Sequence, residues 1–238
     1  MFRRKASLFG IVCAAVVLCL SAPAAAQTKA EILRKLAFFD AEARTFYFLD
    51  ENGLVRDAVP VDIASGTGEL KPVAGDWDGD GLDSVGVYNC RTQTFYLTGK
   101  GAVPPVQFVG GRESCWPLAG DWDGDGRDGI ALYDQKKGAF YVKNDLSRGS
   151  ADLVFKVENA PAWVEPLSGH WTLLPNDGVG FRNPDSALMV LFSEAKQGSS
   201  SVFFGLRFTG QLLSSDFNSD ARDEIGAFKA RGAQGQVT

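Results

Sequence analysis

Residues 72–97 read PVAGDWDGDGLDSVGVYNCRTQTFYL, and residues 117–142 read PLAGDWDGDGRDGIALYDQKKGAFYV. The block AGDWDGDGxD stands twice, offset by 45 residues from Asp76 to Asp121. An internal repeat of this length is the signature of an array of supersecondary units. Weaker copies lie on either side. Residues 166–192 (PLSGHWTLLPNDGVGFRNPDSALMVLF) keep the strand pattern but carry His170 in place of the first loop acid. Residues 212–228 (LLSSDFNSDARDEIGAF) give a fourth start at Asp216. Residues 36–49 (LAFFDAEARTFYFL) match only the second half of a unit, with Asp40 falling at Asn89 and Asp134.

Each full unit resolves into four short β-rich runs separated by turn residues. In the first they are Pro72–Trp77, Ser84–Tyr88, Thr94–Leu97 and Val106–Val109. In the second they are Leu118–Trp122, Gly129–Tyr133, Ala139–Lys143 and Leu153–Val157. Four strands every 45–49 residues is the spacing of a propeller blade. The predicted fold is therefore all-β, a β-propeller of four-stranded blades. The N-terminal and C-terminal pieces are complementary parts of a unit, which predicts four blades closed by pairing of the two termini. A five-blade arc, or a fragment of a larger propeller, is the alternative. The units run about 27–63, 72–109, 117–157, 166–208 and 212–230, in one domain over 27–238. The helical candidate is 29–36.

Residues 1–26 have the layout of an export signal: Arg3, Arg4 and Lys5, an apolar run from Leu8 to Leu20, and Ala24-Ala25-Ala26 before Gln27. A retained membrane anchor is the competing reading. The expected location is secreted or periplasmic. Losing the three cations takes the net charge from −5 to −8, which argues against nucleic acid and anionic membrane surfaces as partners. Removing the leader also leaves two cysteines, Cys90 and Cys115. In an oxidising compartment they predict one disulfide, stapling neighbouring blades, with two separate thiols as the alternative.

Asp76, Asp78 and Asp80 alternate and are followed by Gly81, and Asp121, Asp123, Asp125 and Gly126 repeat the pattern. Alternating carboxylates in a tight loop aim at one centre, and oxygen donors at this density suit Ca²⁺. The absence of His and Cys from these two loops argues against transition metals. Asp216, Asn218, Asp220 and Glu224 form a plausible third site, with Ala221 in the place of the glycine. The His170 copy has lost most of the acidic positions of the loop.

GDWDGDGLDSVGVY and GDWDGDGRDGIALY resemble the FG-GAP repeats of integrin alpha chains and the related bacterial VCBS-type repeats. The resemblance extends over nearly all of the chain after residue 26. It implies Ca²⁺ in the hairpin loop between the first two strands of a blade, with a backbone carbonyl from Leu82 or Arg127 among the ligands. The chain departs from the family at the ninth loop position, where Ser84 and Gly129 stand. An acid stands one position earlier, Asp83 and Asp128, and at Gly129 water or a shifted Asp128 is expected to complete the shell.

Trp77, Trp122, Trp171 and Phe217 share one place in the four copies, which predicts a repeated core residue. Trp116 and Trp163 precede a first strand, on the face away from the loops, and are the candidates for an exposed ligand-binding surface. His170 is the only histidine and has no nucleophile motif beside it. The acids are concentrated in loops, and no catalytic pair stands outside them. The expected function is a binding or adhesion module for an extracellular or cell-envelope protein or glycan, a lectin-like role included, rather than an enzyme. A polysaccharide-active enzyme or accessory subunit on a propeller scaffold is the alternative.

Overall fold

The structure, a computed structural model, describes residues 13–17, 36–63, 68–99, 104–109, 115–161, 163–207, 210–217, 220–231 and 234–237. The expected helix lies outside these residues, save Leu36 at its end, which begins a strand. All regular structure among the described residues is β.

The chain forms five antiparallel meanders. The first holds β1 (Cys13–Val17), β2 (Leu36–Asp40), β3 (Thr45–Leu49) and β4 (Val55–Pro60). The second holds β5 (Leu70–Gly75), β6 (Ser84–Asn89), β7 (Thr94–Leu97) and β8 (Val106–Val109). The third holds β9 (Cys115–Gly120), β10 (Gly129–Asp134) and β11 (Ala139–Lys143), followed by β12 (Gly149–Ser150) and β13 (Leu153–Lys156). Here β13 pairs with β11, while β12 leaves its own unit and adds in parallel to the outer edge of β8. The fourth is β14 (Glu165–Gly169), β15 (Gly178–Asn183), β16 (Leu188–Phe192) and β17 (Ser201–Gly205). The last is β18 (Gln211–Ser215), β19 (Glu224–Arg231) and β20 (Gln234–Val237).

The expected union of the two terminal pieces in one sheet is not found. β2 pairs with β1, inside the expected leader, and β19 pairs with β18 and β20. The apolar, strand-compatible run CAAVV takes the place a first strand has in the other units: Cys13 faces Asp40 as Cys115 faces Asp134. First strands lie beside first strands, β5 against β9, β9 against β14, β14 against β18, and β1 against both β5 and β18.

The sheets pack face to face, so each hydrophobic cluster draws on two successive units. Phe39 and Phe46 meet Val85 and Val87; Phe95 and Phe108 meet Ile130 and Leu132; Phe140 and Ala131 meet Phe181 and Val190. Burial on both faces explains why β10 is apolar along most of its length and buried throughout. In the first three units the Phe and Tyr residues of the second and third strands form one cross-strand pair each. Phe39–Phe46, Tyr88–Phe95 and Tyr133–Phe140 have centroids 4.6, 4.7 and 4.5 Å apart, at the ring separations that favour tilted aromatic pairs.

The turn after each second strand is written in one residue. The side-chain oxygen of Asp40, Asn89, Asp134 and Asn183 accepts the backbone N–H groups two and three residues on, the Asx-turn chemistry of these residue types. The first strands end at Gly75 and Gly120, short of the tryptophans where the sequence pattern placed their ends. These glycines are a matter of room. A Cβ at Gly75 would lie 2.7 Å from Asp128 Oδ2 and from the Trp77 ring; one at Gly120 would lie 2.9 Å from Asp177 Oδ2 and 3.0 Å from Trp122.

Gly120→Ala is therefore expected to destabilise the fold by about 1–3 kcal/mol in denaturant unfolding. Gly205→Ala, whose Cβ meets nothing within 4 Å, should stay within about 0.5 kcal/mol of the parent.

Candidate functional site

Two assemblies stand at opposite ends of the first strands. At one end the chain leaves each strand into an acidic loop. Asp76 Oδ1 accepts N–H from Gly79 (2.8 Å) and Asp80 (3.1 Å), and its Oδ2 accepts from Gly81 (2.7 Å). Asp121 does the same for Gly124, Asp125 and Gly126, at 2.7, 3.1 and 2.8 Å. Asp80 and Asp125 accept from Leu82 and Arg127 N–H in turn. Gly81 and Gly126 take φ of +80° and +85°, conformations that cost a side-chain-bearing residue energy. In each triad, Asp76/78/80 and Asp121/123/125, one carboxylate oxygen per residue lies within 4.8 Å of the others. Hard oxygen donors converging on one point fit a divalent cation of the Ca²⁺ type. The backbone has already organised both loops around their first aspartate.

The last loop keeps part of this plan. Asp216 accepts N–H from Asp220 (3.1 Å) and Ala221 (2.9 Å), with Ala221 held at φ +67°. Asn218 lies outside the described residues. Glu224 turns its Oε2 to the Phe217 N–H at 2.9 Å.

Asp128 does not serve its own loop. Its Oδ2 accepts the Asp76 N–H of the preceding unit at 2.9 Å, while its N–H donates to the Asp76 carbonyl at 2.8 Å. Asp177 grips Asp121 in the same two-bond manner at 2.9 and 2.7 Å, and Asp223 grips His170 at 2.8 and 2.8 Å. The Asp128 bond to Asp76 engages one oxygen of a carboxylate that the sequence reading placed in the metal shell. The eighth loop residue enters its strand beside the preceding unit, and its carboxylate caps a backbone amide there. Asp83 occupies the equivalent position and lies close enough to Asp128 to raise its pKa. Sequence held the clue: Asp177 is the one loop acid that the degraded third copy retains. The ninth position has no room for an acid at Gly129, where a Cβ would sit 2.4 Å from the Lys143 carbonyl.

Burial pushes the Asp128 carboxyl well above the usual carboxylate range, reinforced by Asp177 and Asp83, against the pull of its amide bond. Burial likewise lifts Asp223 to about 6. His170 is raised by its hydrogen bond from Nδ1 to Asp177 Oδ1 at 3.1 Å, with Asp177, Asp223 and Asp121 adding negative charge nearby. Trp77 and Trp122 are buried core residues, as their repetition predicts, and the Trp171 Nε1 donates to the Phe192 carbonyl at 3.1 Å.

At the other end the structure brings Trp116 and Trp163 together. Their rings meet edge to face at 6.1 Å. Trp116 lies against the core, and Trp163 is 49% exposed. Gln135 fixes the approach to β14: its amide bonds both the N–H and the carbonyl of Val164, the residue after Trp163. Sequence reading missed a third member, Lys71, whose Nζ stands 4.0 Å from the Trp116 ring centroid and 3.6 Å from Glu69 Oε1. Lys71 on β5 and Trp116 on β9 hold the same register, each second in its strand. Cys90 is a free thiol packed against the Val73–Phe95–Ile130 cluster, and the side chain of Cys115, its expected disulfide partner, lies outside the described residues. Burial raises the thiol to about 11.

No protein-family model matches the chain, and no curated protein matches it. Among solved structures it is similar to "KlHsv2 with loop 6CD replaced by a Gly-Ser linker", at 15% identity and TM-score 0.37, over 81% of this chain and 56% of that one. A likeness of that size carries no argument about function or fold.

The raised pKa values fix a pH dependence. A histidine raised in the fold contributes stability that is fully present below about pH 6.5 and is lost as pH rises through its folded value. A carboxyl raised to about 6, such as Asp223, also favours the fold at low pH and loses that contribution as it ionises. In EDTA, the melting temperature should therefore fall between pH 5 and pH 8. His170→Gln should flatten the upper part of that slope; an unchanged profile would contradict the assignment.

Proposed function

We propose that this protein is a secreted or periplasmic β-propeller with calcium-holding loops that acts as a binding or adhesion module for an extracellular or cell-envelope protein or glycan. The single observation that carries the reading is the Trp116–Trp163 pair. Two tryptophans 47 residues apart meet at one surface, one of them half exposed and fixed from behind by Gln135. A large aromatic with a polar edge, presented rigidly to water, is characteristic of recognition surfaces. Propeller architecture is supported by the order of the sheets, each a meander starting from a first strand that lies beside the first strand of the next. Calcium is supported by the two aspartate triads, and the cation orders the end of the molecule away from the tryptophans. The module carries no catalytic assignment. Export is supported by the charge and hydropathy layout of residues 1–26.

Two measurements test the parts separately. Ca²⁺ at roughly ten to a hundred times its Kd should raise unfolding stability by about 1–3 kcal/mol over EDTA, and Asp78→Ala with Asp123→Ala should remove the gain. Arrays of glycans and of envelope proteins, probed in Ca²⁺, should yield a ligand whose binding is lost in Trp163→Ala while the melting temperature is kept. Binding that survives in Trp163→Ala would exclude this surface.

A further inference from the structure

Every unit is built on the same edge. β5, β9, β14 and β18 each end their sheet and pair with their own second strand, and β1 does the same for β2. In the first unit that strand is Cys13–Val17, which lies against both β5 and β18. It also lies inside residues 1–26, whose layout is that of a leader cut before Gln27. Cutting there takes β1 away from a fold that has a place for it. Leu36, Ala37 and Phe39 of β2 are fully buried when β1 is present. Without β1, one edge of β2 stands unpaired between β5 and β18. Every other first strand among the described residues is already engaged by its own unit.

The repeat specifies what this edge accepts. At the level of Ala15, opposite Phe38, the other first strands carry Pro72, Pro117, Pro166 and Leu212. At the level of Val16, opposite Ala37, they carry Val73, Leu118, Leu167 and Leu213. At the level of Val17, opposite Leu36, they carry Ala74, Ala119, Ser168 and Ser214. Proline has no N–H to donate, so it fits an antiparallel pair only where that pair is of the non-hydrogen-bonded kind. The pairs on either side are then the bonded ones, which in β2 are those of Ala37 and Phe39. The Cys90 N–H, which donates to the Glu69 carbonyl at 3.0 Å, keeps the same alternation in the second unit. The edge therefore presents N–H and carbonyl groups at Ala37 and Phe39, and takes a strand with Pro, then Val or Leu, then a small residue.

We infer that the exported chain binds an extended segment of a partner protein, of the form x-Pro-Val/Leu-Ala/Ser-Gly, which adds antiparallel to β2 in the place of β1. The inference rests on the export part of the proposed function and gives the module a second ligand, apart from the one that Trp163 faces. The test is hydrogen exchange and calorimetric titration of the exported chain, its start at Gln27 checked by mass spectrometry. The probe is the capped peptide ELKPVAG, the sequence of residues 69–75. It should bind and slow exchange at the Ala37 and Phe39 amides by about tenfold or more. N-methylation of the peptide's Val, whose N–H faces Ala37, should weaken binding by about tenfold or more. N-methylation of its Ala, whose N–H faces away from β2, should leave binding unchanged. The chain that keeps residues 1–26 should not bind the peptide, because β1 holds the edge. If the exported chain folds only with the peptide present, that rescue, and its loss with the N-methyl-Val peptide, reads the same contact. An exported chain that begins before Cys13 would overturn the inference. So would slow exchange at Ala37 and Phe39 without peptide, which would mean that another segment of the chain covers the edge. Equal binding of both methylated peptides, or no binding, would also overturn it. None of these outcomes touches the Trp163 surface, whose ligand is sought separately and lost in Trp163→Ala.

Discussion

A buried carboxylate reaching backwards holds this molecule in register. Asp128, Asp177 and Asp223 each cap a backbone amide at the start of the preceding unit's loop, and each adds a main-chain bond beside it. A carboxylate capping an amide is a strong hydrogen bond, and here it joins two sheets whose cores meet through apolar packing, which is non-directional. The apolar interface tolerates sliding; the two-bond grip does not. Much else follows from it. Glycine must end the first strand because the visiting carboxylate occupies the space of a Cβ. The loop's first residue is pinned from both sides, so the acidic triad is built on a fixed base. Further contacts follow the same seam, with Ser168 Oγ donating to the Ala119 carbonyl at 2.7 Å and Asn176 Nδ2 to the Trp122 carbonyl at 2.9 Å.

In the third unit the acidic triad is lost and the grip is kept. His170 replaces the first acid, Leu173 and Leu174 replace the polar loop, and the triad is gone. Asp177 and Asp223 remain in place, and His170 is bonded to the first through its imidazole Nδ1 and to the second through its backbone N–H. A protonated ring there supplies positive charge to a loop that has no acidic triad.

The strands were legible in the sequence because each unit repeats its own punctuation. An Asp or Asn ends the second strand, a Gly-rich loop follows the first, and an aromatic pair sits at fixed offsets; all land within a few residues of the observed limits. The role of the eighth-position acids was not legible from one loop alone. Asp128 looks like a displaced ligand along the chain, and only the packing of neighbouring sheets turns it towards Asp76. Pairing of the chain ends was misjudged for a related reason. Strand complementarity said which piece lacked a first strand, but not that Cys13–Val17, which the sequence reading assigned to a leader, has the composition to fill it. Trp116 and Trp163 were identifiable as a surface pair from their places before the strands. Lys71 was not, because its partner ring lies on the next sheet.

The backward grip has a direction, and direction matters to a chain that is made from one end. Every described clasp joins a later unit to an earlier one, so each repeat, as it emerges from the ribosome, finds its docking amides already laid down. The amides of a finished unit stay open at the seam until its successor brings the carboxylate that caps them. Growth by addition to a completed face keeps exposed sheet surface short-lived, which is when multi-sheet chains are most prone to mispair.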